Sequence, residues 1–184
     1  MSDLKPGSFG VVSVKGPGGW WIKLGQALAG DASRYAHAFL ILDEQGTLLE
    51  AEPGGARLAN IREYDGCGML ISDGPVQQKL HSLPWTDPAR VETTTRGAIV
   101  TQARQMVGTP YSWLDYAAIG LLHLRIPSKA LRRYVATSRH AQCAQLVDLV
   151  YRLAGVRLFE DGRQPGDVCP ADLAAWAEDW AAKQ

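Results

Sequence analysis

Cysteine is scarce in this sequence of 184 residues, and its three cysteines, Cys67, Cys143 and Cys169, form no C-x-x-C pair. An odd number of widely spaced cysteines does not suit a disulfide framework, and it lacks the ligand spacing of a zinc site. A reducing compartment is the default for such a chain. We therefore expect no disulfide, no metal and no cofactor.

Net charge and long apolar runs are also missing. The chain has 19 basic and 19 acidic side chains, so no overall field favours nucleic acid or a membrane surface. No apolar stretch reaches transmembrane length, and residues 1–5 lack the pattern of a signal peptide. We expect no nucleic-acid partner, no transmembrane segment and, by default, a cytoplasmic location, and we leave the oligomeric state open.

Acidic residues are absent between Asp115 and Asp148. Five basic side chains lie in this interval: Arg125, Lys129, Arg132, Arg133 and Arg139. A solvated helix face explains such a run, and a site for an anionic substrate or surface is the alternative.

The pattern of elements predicts a single α+β domain over residues 1–184. Short β-branched runs bounded by turn residues come early, and helical periodicity comes late, an order typical of this class. The expected strands are 9–14, 35–42, 48–52, 56–61 and 69–72. The expected helices are 20–29, 93–107, 113–124, a helix that contains Cys143, and 170–182, and residues 76–85 are ambiguous.

The helix around Cys143 carries the most chemical information. Its apolar residues recur at the spacing of one buried face: Leu146, Val147, Val150 and Leu153. Gly155 stands where a glycine ends a helix. A thiol in the first turn has its thiolate stabilised by the helix dipole, and the thiolate is the nucleophile. The alternative is a buried structural cysteine.

A predicted hairpin brings other polar residues together. If Gln45-Gly46 forms a two-residue turn, Glu52 lies opposite Phe39, and Glu50 lies two residues nearer the turn. By alternation His37 shares that face. One histidine and two carboxylates are therefore expected on one side of a sheet.

Six short motifs follow one another along the chain. They are Pro6-Gly7 before a strand, the strand Tyr35-Ala36-His37-Ala38-Phe39-Leu40-Ile41, Leu49-Glu50-Ala51, Gly108-Thr109-Pro110-Tyr111, Cys143-Ala144-Gln145-Leu146-Val147 and Cys169-Pro170-Ala171-Asp172-Leu173. Together they resemble the permuted, YaeF/YiiX-like branch of the NlpC/P60 superfamily of papain-like cysteine hydrolases. His37 precedes Cys143, the order of that branch and of the lecithin retinol acyltransferase-like proteins. Ser8 departs from that branch's usual aspartate, and Ala36 from its common serine.

The resemblance implies a circularly permuted papain-like fold. In that fold an antiparallel sheet packs against helices, and the nucleophile lies at a helix N-terminus. The resemblance makes Cys143 the nucleophile, His37 the base and later the acid, and Glu50 the carboxylate that orients the imidazole. We expect the Cys143 thiol and the His37 ring to lie within or near hydrogen-bonding reach.

Three further side chains are candidates for substrate binding. Tyr111 corresponds to a tyrosine that lines the substrate site in the family, with a turn aromatic packed on the core as the alternative. Gln142 is a candidate for a polar contact. Glu52 shares the strand face of Glu50 and is the second choice for orienting His37.

These assignments imply a thiol hydrolase with a Cys-His-Glu acyl-enzyme mechanism, acting on an amide bond in a peptide or cell-wall fragment. The alternatives are a lipid-ester hydrolase or acyltransferase of the lecithin retinol acyltransferase-like type, and a binding module without chemistry. The Gly-Thr-Pro-Tyr turn favours the peptidase. The apolar segment 113–124 and the basic run after it favour an amphiphilic or lipid-like substrate.

Overall fold

A computed structural model of the chain describes residues 4–13, 33–52, 54–109 and 143–184. Within these ranges the protein is α+β, with a five-stranded antiparallel sheet and four α-helices. The helices expected at 20–29 and 113–124, and the basic run after the second of them, lie outside the described residues.

The five predicted strands are confirmed, each to within two residues. They are β1 (Phe9–Ser13), β2 (His37–Ile41), β3 (Thr47–Glu52), β4 (Gly55–Asn60) and β5 (Gly68–Ser72). Their order in the sheet is β4-β3-β2-β1-β5, and every neighbouring pair is antiparallel. The two strands that carry the histidine and the two candidate glutamates, β2 and β3, are therefore direct neighbours.

Both faces of the central strands are covered by apolar side chains. One face packs against the helices and includes Phe9, Val11, Ala38, Leu40 and Leu49. The other face carries a smaller cluster of Val12, Phe39, Ile41 and Leu48. Burial on both faces explains why these strands are continuously apolar rather than alternating with polar residues.

The helices are α1 (Gly74–His81), α2 (Pro88–Gln105), α3 (residues 143–153) and α4 (Pro170–Ala182). Helix α2 begins five residues before the predicted start because the Asp87 carboxylate caps it, accepting the Ala89 N–H at 3.0 Å. The bounds of α4 are confirmed. Within the described ranges, no helix combines the length and apolar character needed to cross a membrane.

Helix α3 packs its apolar face on the sheet. Leu146, Val147 and Val150 are buried as predicted, and the positive φ of 74° at Gly155 confirms its place at the helix end. The burial predicted for Leu153 is wrong, because that side chain is exposed. The buried face of the helix instead includes Tyr151.

The register of the β2–β3 hairpin differs from the prediction. Phe39 lies opposite Glu50, and the Leu42 N–H donates to the Thr47 carbonyl at 2.8 Å, so four residues, 43–46, form the turn. The two-residue turn is wrong because the Asp43 carboxylate accepts the Thr47 N–H at 2.9 Å and stabilises the wider turn. The wider turn moves Glu50 two residues closer to the start of β2.

Candidate functional site

His37 and Glu50 form a direct contact across neighbouring strands. His37 begins β2, and Glu50 is diagonal to it on β3, since Phe39 is the direct partner of Glu50. The Nε2 atom of His37 lies 3.0 Å from Oε2 of Glu50. The histidine side chain is 13% exposed and the glutamate side chain 0%. The pair is thus largely shielded from water.

Cys143 completes this arrangement from the helical side. It is the first described residue of α3, is 3% exposed, and shares a hydrogen bond with the His37 ring. Because Nε2 faces Glu50, Nδ1 is the ring nitrogen left for the sulfur. The structure therefore brings together the three residues expected to carry the chemistry.

The charge state of His37 follows from these neighbours. Burial disfavours its charged form, but the charge and hydrogen bond of the Cys143 sulfur, followed by those of the Glu50 carboxylate, outweigh burial and raise the pKa of His37 from 6.5 to about 10. The imidazolium form is therefore favoured at neutral pH. A positive charge beside the sulfur stabilises the thiolate, the reactive form of cysteine.

Two side chains besides His37 contact Glu50. The Tyr64 hydroxyl donates to Oε2, the oxygen that faces His37. Oε1 makes no hydrogen bond of good geometry, and its partner is the charge of Arg57, whose Nη2 lies 2.5 Å away. Burial raises the pKa of Glu50, but the hydrogen bonds from His37 and Tyr64 and the nearby positive charges lower it below its ordinary value. Glu50 is therefore a carboxylate at neutral pH.

Arg57 and Tyr64 were not predicted from the sequence. Arg57 lies directly opposite Glu50 on β4, so the correct pairing of β3 with β4 would have found it. Tyr64 ends the 3-10 helix Ile61–Tyr64. The only sequence signal for that turn is the capping pair of Asn60 and Glu63, which predicts a turn and not a contact with Glu50.

The other candidate residues have different positions. Glu52 is exposed and pairs with Arg57, its Oε2 lying 3.0 Å from Nε of the arginine, rather than with His37. Tyr111 and Gln142 lie outside the described residues. Their expected contacts with substrate stay predictions.

The other two cysteines, Cys67 and Cys169, are free thiols. All three cysteines lie in the described ranges, and none forms a disulfide. Burial, followed by a hydrogen bond with Asp172, raises the pKa of Cys169 to about 12, which keeps this thiol protonated. Among the described residues, no group of three or more His, Cys, Asp or Glu side chains is arranged to hold a metal ion.

No protein-family model matches the chain, and no curated protein matches it significantly. What the site can do is therefore inferred from its side chains. A thiol beside an imidazole that is oriented by a buried carboxylate has the parts needed for nucleophilic acyl transfer. The imidazole can hold the thiol proton and return it to a leaving group.

Proposed function

We propose that the protein is a thiol hydrolase that cleaves an amide bond through a covalent acyl-enzyme. Cys143 is the nucleophile, His37 the acid and base, and Glu50 the group that orients His37. The observation that carries this proposal is the position of the His37 ring, which contacts the Cys143 thiol group and lies 3.0 Å from the Glu50 carboxylate. The substrate class is a peptide or a cell-wall-type amide.

The fold we propose is the circularly permuted papain-like fold of the permuted NlpC/P60 branch. Three features support it. The histidine and glutamate lie on neighbouring antiparallel strands, the helix that contains the cysteine packs against that sheet, and His37 precedes Cys143 in the chain. The six motifs of the sequence also occur in the order of that branch.

The reaction proceeds in two steps in this proposal. The Cys143 thiolate attacks the carbonyl carbon, and the His37 imidazolium gives its proton to the departing amine as the C–N bond breaks, which leaves a thioester. His37, now neutral, takes a proton from water as that water attacks the thioester. The acid leaves, and the cysteine sulfur is restored. Glu50 stabilises the imidazolium in both steps.

The oxyanion that forms in each step needs hydrogen-bond donors. We assign this role to the backbone N–H of Cys143, since amides at the start of a helix are not used by the helix itself. An ester would follow the same steps with an alcohol as the leaving group. The catalytic residues thus leave amide and ester substrates to be separated by experiment.

The test is a panel of chromogenic amide and ester substrates, with intact-protein mass spectrometry to detect an acyl group on Cys143. We expect amide turnover by the unchanged protein and by Cys67→Ser, the matched control, and none by Cys143→Ser. Turnover of acyl esters alone would assign the lipid-ester alternative. Absence of any adduct on Cys143 across the panel would leave the binding-module alternative and overturn the proposal.

A further inference from the structure

We infer that Tyr64 is a positioning residue, whose hydroxyl holds the Glu50 carboxylate in the orientation that His37 requires. Its consequence for turnover rests on the proposed function, but the geometry does not. The hydroxyl donates to Oε2 of Glu50, and Nε2 of His37 lies 3.0 Å from the same oxygen. The Tyr64 hydroxyl and Nε2 of His37 therefore both contact Oε2 of Glu50.

The other oxygen of Glu50 has a competing partner. Arg57 places Nη2 2.5 Å from Oε1, and its guanidinium carries a full charge. A carboxylate that rotated toward Arg57 would draw Oε2 away from His37. The Tyr64 hydroxyl opposes this rotation, because it donates to Oε2, the oxygen that also contacts His37.

The position of the hydroxyl is itself fixed by packing. The Tyr64 ring stacks on Phe39 with a centroid distance of 5.6 Å and an interplanar angle of 11°, and its centroid lies 5.8 Å from that of His37. The turn that carries Tyr64 is tied to the same arginine, since Glu63 Oε2 accepts a hydrogen bond from Arg57 at 2.9 Å. Tyr64 is therefore held at its ring and at its backbone turn.

Phenylalanine at position 64 separates the orientation of Glu50 from the packing of the aromatic ring. Tyr64→Phe keeps the ring contacts with Phe39 and His37 and removes only the donor to Glu50. Within the part of the chain that the structure describes, the groups that face His37 are Cys143 from α3, Glu50 from β3 and Tyr64 from the 3-10 helix. With Cys143 unchanged, a change in His37 titration in this variant reports on the placement of Glu50.

The experiment follows the His37 imidazole by NMR across pH in the full chain, with its signal assigned from His37→Asn. Tyr151→Phe is the matched control, because the Tyr151 hydroxyl is buried and donates to the Gly7 carbonyl at 2.7 Å, away from His37. We expect Tyr64→Phe to lower the pKa of His37 by about one pH unit and Tyr151→Phe to leave it unchanged. Both variants should lose some thermal stability.

A second readout is the rate of alkylation of Cys143 by iodoacetamide. In Tyr64→Phe this rate should fall relative to Tyr151→Phe at the same pH, because a displaced Glu50 holds the imidazolium beside the sulfur less firmly. An unchanged or raised pKa of His37 in Tyr64→Phe would overturn the positioning role. Neither readout needs a substrate, so failure of the hydrolase proposal is detected separately, by the absence of any acyl adduct. Where turnover is found, Tyr64→Phe should lower kcat and leave KM unchanged.

Discussion

His37 contacts Glu50, although strand pairing places Glu52, two residues further along β3, directly opposite His37. Extension of the pairing of Phe39 with Glu50 puts Glu52 opposite His37, yet Glu52 pairs with Arg57 at the exposed strand end, while the buried Glu50 reaches the imidazole diagonally. Burial decides between the two carboxylates, because an ion pair shielded from water is stronger than one that is solvated. Strand parity alone leaves them equivalent.

The first prediction ranks these two carboxylates. Glu50→Gln should lower the single-turnover rate of acylation by about 100-fold or more, because the amide is uncharged and cannot stabilise the imidazolium. Glu52→Gln, the matched control on the same strand, should cost less than about threefold, since it alters an exposed pair with Arg57. Circular dichroism checks that both variants are folded. The reverse ranking would transfer the role to Glu52.

The second prediction concerns the three cysteines. Brief treatment with iodoacetamide at neutral pH should label Cys143 before Cys67 and Cys169, because only Cys143 contacts the imidazolium of His37. Cys169 should be the slowest, since its pKa is raised to about 12. Mass spectrometry of peptides after a short reaction measures the order, and His37→Asn should remove the advantage of Cys143. Equal labelling of all three would contradict the assignment.

The sequence predicts strands and the last helix well because their signals are local. The β-branched run after Pro6-Gly7 and the proline that opens α4 each act within a few residues. Helix α1 is ambiguous in the sequence because only its first residues, Gly74, Pro75 and Val76, are buried, which leaves no apolar periodicity to read. Its position depends instead on packing against Trp176 and Trp180 of α4.

In the candidate site, too, only the features with local signals can be predicted from the sequence. Cys143, His37 and Glu50 can be selected from motifs, but their surroundings depend on contacts between distant segments. Asp43 sets the turn length through a side-chain hydrogen bond, which the Gln45-Gly46 signal does not reveal. Tyr64 reaches Glu50 through the packing of a separate 3-10 helix against the sheet, which no local signal reveals.

The third prediction follows from the raised pKa of His37. A group whose pKa is higher in the folded state stabilises that state fully below its ordinary pKa, and the contribution disappears as pH rises through the folded value. For His37 this window runs from 6.5 to about 10. The free energy of unfolding, measured with urea, should therefore differ most between the unchanged protein and His37→Asn near pH 6. The difference should shrink steadily toward pH 10, and a difference that grew with pH would contradict the assigned shift.

The fourth prediction concerns the guanidinium shared by three carboxylates. Arg57 pairs with Glu50, Glu52 and Glu63. Arg57→Gln would leave Glu50, which is 0% exposed, without its nearest opposite charge apart from His37. The cost in unfolding free energy should be on the order of 2 kcal/mol at neutral pH, below that of a fully buried pair because Arg57 is 41% exposed.

Acidic pH provides the control for this variant. The pKa values of Glu50 and Glu63 are lowered from the ordinary 4.5, so both stay charged until the pH falls below that value. The difference in unfolding free energy between Arg57→Gln and the unchanged protein should therefore be full at pH 7 and become smaller only as pH falls below about 4.5. Arg62→Gln is the matched substitution, since Arg62 lies in the 3-10 helix next to Glu63 and makes no ion pair with Glu50, Glu52 or Glu63. It should change stability by less than about 0.5 kcal/mol at either pH. An equal loss in both variants would show that the shared guanidinium does not hold the carboxylates in place.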